Sequence, residues 1–143
     1  MKKMMALDVG TKTIGIAKGF LETGMVFPIC TLKRQSVKKD SLRIKEICEK
    51  EHISTLIVGL PLQADGSEGR MARLARQIAN AVHEHTQIPV FYQDESDSTM
   101  EAQERLYNSG RHTVTHKAVI DQEAAMIILE RWMRESDTGS FNL

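Results

Sequence analysis

The sequence has no surplus of either charge, with 19 Lys and Arg set against 19 Asp and Glu. That balance removes the global basic character of a tight non-specific nucleic-acid binder, while leaving room for a local basic face. Cysteine is scarce. Cys30 and Cys48 fall in different predicted elements, match no metal-ligand spacing, and read as reduced core thiols of a cytosolic protein. No apolar stretch is long enough to span a membrane, and the run after Lys2-Lys3 is broken by Asp8 and Lys12. A signal-peptide pattern is therefore missing, and the expected location is the cytoplasm. Internal repeats and low-complexity segments are absent too. What remains is an ordinary soluble composition, 41% hydrophobic and 27% charged over 143 residues. This suits one domain with a real core. We expect that domain over residues 1–135, followed by a polar tail over 136–143.

The chain is organised around its opening, Met4-Met5-Ala6-Leu7-Asp8-Val9-Gly10-Thr11-Lys12-Thr13-Ile14-Gly15-Ile16-Ala17. The pattern predicts a buried strand, a tight Gly-Thr turn and a second strand. Continuous apolar residues rich in Val, Ile and Leu suit a strand covered on both faces. Asp8 interrupts that run where the pattern asks for an apolar side chain. An unpaired buried carboxylate costs several kcal/mol, so Asp8 needs hydrogen bonds from its own turn, a partner, or a cation.

Further along, Gly24 to Thr31 predicts a third strand, and Pro28, with no amide donor, places it at a sheet edge. The polar, basic run from Leu32 to Asp40 predicts a solvated loop. Asp40 or Ser41 then caps a helix to about His52, with Ile44, Ile47 and Cys48 on its inner face. Thr55 to Pro61 is the clearest buried strand. After the loop Gln63 to Gly69, a long helix carries Met71, Leu74, Ala75, Ile78 and Val82 on one stripe. His83 and His85, two apart on that helix, sit on different faces and do not share a metal. Ile88 to Gln93 predicts a fifth strand ending at Asp94-Glu95. Ser98 with Glu101 forms a capping box for a helix stopping near Gly110. The segment from Arg111 to Lys117 reads as a basic loop in which His112 and His116 are solvent-exposed. A last helix runs from about Ala118 to Arg134, with Ala125, Ile128 and Trp132 on its apolar stripe and Asp121 on the same face. Trp132 is its expected core anchor. Hairpins first and βα units later predict an α/β fold, a mixed five-stranded sheet with strands 1–3 antiparallel and helices on both faces.

Two of the acidic residues singled out here, Asp8 and Glu95, lie at strand ends, where open α/β sheets build their sites. Asp121 lies on the inward face of the last helix. Each has a plain structural use: turn hydrogen bonds for Asp8, helix capping for Glu95, the helix dipole for Asp121. Three converging carboxylates, however, repel one another unless cations lie between them. Mg²⁺ or Mn²⁺ fits such a set, being hard, oxygen-liganded and content with few carboxylates plus water and phosphate. Paired ions of this kind serve phosphodiester cleavage.

Taken together, Ala6 to Gly15, Val58-Gly59-Leu60-Pro61-Leu62 with Asp65-Gly66-Ser67-Glu68-Gly69, Asp94-Glu95, and Ile120-Asp121 with Ala124-Ala125 resemble the YqgF family. That bacterial group is described both as Holliday junction resolvases and as pre-16S rRNA nucleases. The resemblance covers nearly the whole chain with its motifs in order. It implies an RNase H-like fold, a cytoplasmic protein, divalent-metal phosphodiester hydrolysis and a role in maturing the 5′ end of the 16S rRNA precursor. It places the catalytic and metal positions on Asp8, Glu95 and Asp121; for a nuclease of this kind we expect substrate contacts at Gly10, Thr11, Lys12 and Asp65. One position departs from the pattern. The family usually follows Asp-Glu with Arg, and here Ser96 stands there, with Asp97 adding negative charge. Arg70, Arg111 and Lys117 are the candidates to supply the lost cation.

Other readings use the same residues. An Asp-x-Gly-Thr turn also opens the actin and sugar-kinase group, but those proteins pack two such domains around a nucleotide and this chain shows one. A nucleic-acid-binding factor that kept the fold without the chemistry is a further alternative, which the lost Arg favours. The expected partner is nucleic acid, precursor rRNA or branched DNA. The protein is a monomer or a homodimer, and a resolvase cutting two symmetric strands needs the dimer.

Overall fold

A computed structural model of the chain describes residues 2–110 and 116–135. The elements follow in the order β1 (Lys3–Val9), β2 (Thr13–Phe20), β3 (Met25–Lys33), α1 (Val37–Glu51), β4 (Thr55–Leu60), α2 (Arg70–Thr86), β5 (Val90–Asp94), α3 (Ser98–Asn108) and α4 (Lys117–Glu135). The expected mixed sheet is present, with strand order β3-β2-β1-β4-β5. β1, β2 and β3 pair antiparallel, whereas β4 runs parallel to both β1 and β5. Pro28 lies on the edge strand β3 as its missing amide requires.

Strand periodicity decides which face each residue serves. Met5, Leu7 and Val9 of β1 join Ile14, Ile16, Leu56 and Val58 under α1 and α2. Met4 and Ala6 point the other way, against Ala125, Ile128, Leu129 and Met133 of α4. Asp8 continues the Met4–Ala6 row, so period-two geometry directs it to the α4 side. α3 is held outside the sheet by a smaller cluster in which Ala102 meets Ala124 and Ile127.

Four local expectations need correction. α1 begins earlier than Asp40 or Ser41: Ser36 is its N-cap, and its hydroxyl accepts from the Lys39 amide at 3.1 Å. Asp40 is instead a fully buried first-turn residue bound by Arg34 Nε (2.9 Å), Arg43 Nη2 (2.6 Å) and the Gln35 amide (3.0 Å). The basic run from Leu32 is a loop only over residues 34–36, because its start completes β3 and its end opens α1. The capping box of α3 does not form. Asp97 is the N-cap, left-handed at φ 62° and without a side-chain cap bond, while Glu101 accepts from Arg131 Nη2 at 3.2 Å. Trp132 is half-buried against the exposed ring of Phe91, at 5.5 Å between centroids; Leu129 and Met133 fill the core in its place. The tail over 136–143 lies outside the described residues.

Candidate active site

Asp8, Glu95 and Asp121 line one pocket of about 710 Å³. They arrive from three directions: the C-terminal end of β1, the residue after β5, and the first turns of α4. This is the carboxyl-end location at which open α/β sheets bind ligands. The sheet is made thin at that level. Asp8 pairs across the ladder with Gly15, and on its other side Gly59 follows Val58, the partner of Leu7. A Cβ on Gly15 would overlap the Asp121 carbonyl, and one on Gly59 would lie 2.5 Å from Ile128 Cδ1 and 3.0 Å from the Glu95 carboxyl. Two glycines thus let α4 and Glu95 settle directly onto the backbone beside Asp8.

The carboxylates are not equivalent. Glu95 and Asp8 share a side-chain hydrogen bond. Burial pushes the Glu95 carboxyl far above the usual range, and the bond to Asp8 with the Asp8 charge pushes it further. Burial also raises Asp8; the Glu95 bond opposes this and the Asp121 charge adds to it. Glu95 therefore carries the proton and donates it to the Asp8 carboxylate. Asp121 is satisfied differently. Thr13 Oγ1 donates to its Oδ2 at 2.6 Å, and Lys117 Nζ donates to its Oδ1 at 2.9 Å. Thr13, two residues before Gly15 on the same face of β2, is a partner that the sequence motif contained without marking.

The donors are hard oxygen ligands of the kind Mg²⁺ and Mn²⁺ take. Among the described residues no three His, Cys, Asp or Glu side chains already stand together as a ligand set. Glu95 and Asp8 hydrogen-bond to each other, while a hydroxyl and an ammonium bind Asp121. In chemistry the set fits a divalent cation, which would take the place of the shared proton.

The remaining predicted residues divide. Gly10, Thr11 and Lys117 line the pocket with the carboxylates, and the Gly10 amide closes the turn onto the Thr13 carbonyl at 2.8 Å. Lys12 is exposed and stays outside that lining. Asp65 also stays outside it. Its Oδ1 accepts from the Ser67 hydroxyl and amide, which hold its carboxyl below the usual range and shape the exposed loop. Arg70 lines a second depression next to the first. Arg111 and His112 lie outside the described residues. Ser96 spends its amide and hydroxyl on Asp94 Oδ1. A cation does reach this loop, from an unexpected source: Arg131 of α4 donates to the carbonyls of Ser96 (2.9 Å) and Asp94 (3.3 Å). Helical spacing does not mark it beforehand, since ten residues beyond Asp121 lies about 80° round the helix from it.

Comparison with known proteins agrees with this fold. A family model described as "RuvX: Holliday junction resolvase" matches residues 2–135. A Yersinia enterocolitica protein named "Putative pre-16S rRNA nuclease" is 34% identical over 134 residues, 94% of this chain and 96% of its own. This chain belongs to the RuvX family, the YqgF group its motifs resemble. A second RuvX relative of the same name, from Synechocystis, is 37% identical over 133 residues, covering 90% of this chain and 85% of its own. Among solved structures, Thermus thermophilus RuvC in complex with a Holliday junction substrate superposes with a TM-score of 0.63 at 12% identity, covering 98% of each chain. The Fowlpox virus resolvase in complex with Holliday junction DNA gives 0.60 at 9% identity, covering 94% of this chain and 98% of its own. At such identities these structures speak for the fold, which is RNase H-like as expected.

Proposed function

We propose that this RuvX protein is a divalent-metal-dependent nuclease acting on phosphodiester bonds, with maturation of the 5′ end of the 16S rRNA precursor as its task. The observation that carries the reading is the convergence of Asp8, Glu95 and Asp121, far apart in sequence, on one pocket. The names of the relatives from Yersinia and Synechocystis supply the substrate. We place the protein in the cytoplasm, as one domain over residues 1–135; no described helix is long and apolar enough to cross a membrane.

Asp8, Glu95 and Asp121 would hold the cation. When bound, Mg²⁺ or Mn²⁺ supplies Lewis acidity toward a phosphate oxygen and eases the deprotonation of water. The chain's own groups do the rest. Thr13 fixes the rotamer of Asp121 from below. Lys117, a cationic side chain lining the pocket, faces the phosphate's charge. The Gly10-Thr11 turn leaves backbone close enough for a phosphate oxygen to approach. Glu95 serves as a charged ligand, or as the base orienting the attacking water, only after surrendering the proton it gives to Asp8.

The test compares cleavage of an RNA carrying the 16S 5′ leader and of a four-way DNA junction, with and without Mn²⁺, beside Asp121→Asn. Cleavage of the RNA that requires the metal and falls to background in the variant supports the reading. Wild-type protein leaving both substrates intact under Mg²⁺ and Mn²⁺ overturns it. The family description and the junction-bound structural neighbours favour a second reading, resolution of branched DNA. That activity needs a homodimer and predicts symmetric junction cuts.

A further inference from the structure

The pocket that holds the three carboxylates is a poor place to attract a polyanion. Among the described residues, Asp8, Glu95, Asp97 and Asp121 line it against the single ammonium of Lys117. The adjoining depression has the opposite character. It encloses about 310 Å³ between Thr11, Arg34, Arg70, Arg73 and Gln77, and among the described residues no carboxylate lines it. Thr11 belongs to both walls, so the two depressions meet at the β1–β2 turn.

We infer that this arginine groove binds the phosphodiester backbone next to the scissile phosphate and supplies the attraction that the acidic pocket lacks. The inference rests on the nuclease reading and extends it to the path of the strand. Among the described residues, the side chains of Arg70 and Arg73 are exposed and have no hydrogen-bonding or ionic partner. Unpaired guanidinium groups of this kind offer forked donors that match phosphate oxygens. Arg34 is set differently. Its Nε is held by the buried Asp40 at 2.9 Å, so it forms a fixed wall. The start of α2 adds to the same field: Gly69 caps it without a side chain, and no acidic residue occupies its first turn. No aromatic side chain lines the groove among the described residues, so it offers phosphate contacts rather than base stacking, and it reads backbone rather than sequence.

Fluorescence anisotropy in EDTA tests this apart from cleavage, with the full chain, a labelled 16S 5′-leader RNA and a labelled four-way junction, titrated over a range of KCl. In Arg70→Ala/Arg73→Ala, the magnitude of the slope of log affinity against log salt should drop by about 2, with affinity near 0.1 M salt falling roughly tenfold. The control Lys50→Ala/Arg134→Ala removes equal charge from exposed positions outside the groove and should leave the slope near that of wild type. Thermal unfolding of both variants should match wild type. An unchanged slope in the arginine variant, or an equal drop in the control, overturns the groove while leaving the nuclease reading intact. Wild-type protein that binds neither nucleic acid overturns both.

Discussion

Gly15 lies directly beneath the backbone of Asp121, so close that a Cβ at position 15 would overlap the Asp121 carbonyl. The helix carrying the third carboxylate is thus seated on bare main chain, and its position depends on the absence of one side chain.

Gly15→Ala should force α4 off the sheet. Overpacking against backbone, which cannot rotate away, should cost about 3 kcal/mol in urea unfolding. The same shift carries Asp121 from Asp8, so calorimetric Mn²⁺ binding should weaken by more than the loss of stability explains. Wild-type stability in this variant would contradict the tight seating.

Asp40 is predicted to be structural. Burial alone would raise its carboxyl, but the bonds from Arg34, Arg43 and the Gln35 amide outweigh burial and hold it below the usual range. A depressed folded value contributes stability above about pH 4, which is lost as pH falls through the folded value. Asp40→Ala strands two guanidinium groups at a partly buried site and should cost about 3 kcal/mol at neutral pH. Asp40→Asn should lose less and should flatten the acid limb of unfolding followed by circular dichroism.

The proton on Glu95 gives a pH dependence of opposite sign. Its folded value is raised from 4.5 to about 10 by burial first and Asp8 second. The stabilisation it confers is complete below about pH 4.5 and is lost progressively as pH rises toward the folded value. Metal-free protein should therefore show a Tm that declines from mildly acidic to alkaline pH. Glu95→Gln should flatten that decline, and Mn²⁺ binding to wild type should release protons, measurable by calorimetry in buffers of different ionisation enthalpy.

Ser96→Arg would place a guanidinium at the rim of the acidic pocket. It sacrifices the hydroxyl bond to Asp94, 2.7 Å, while the amide bond to the same oxygen remains. We expect severalfold tighter binding of nucleic acid with a steeper salt dependence. Unchanged anisotropy curves would mean that Arg131, already on this loop, fills the role.

Much of this was legible in the residues. The apolar runs of β1 and β4, Pro28 on its edge and the long stripe of α2 all follow from periodicity and backbone chemistry. Asp8, Glu95 and Asp121 stand out because each breaks or ends an apolar pattern. What stayed hidden depended on partners distant in sequence. Asp40 looked like a helix cap, because nothing local shows that Arg34 and Arg43 close around it. Ser98 and Glu101 have capping-box spacing, but Arg131, 30 residues on, captures Glu101. Arg73 lies three residues after Arg70 and so beside it on α2, but no spacing in the helix reveals that this face meets the β1–β2 turn. Gly15 and Gly59 were visible as glycines inside strands, a pattern that flags a close approach without naming what approaches.

The two borders of the sheet carry different hazards. Along β3, Pro28 withholds a donor and the ladder with β2 slips between Ile16 and Ala17, so a foreign strand finds no regular rail to join. β5 has neither device. It is five residues long, bears the exposed ring of Phe91, and pairs with β4 alone among the described strands. If copies of this protein ever template one another in a stressed cell or a concentrated sample, growth should begin from that short border, and a lysine at position 91 should slow it.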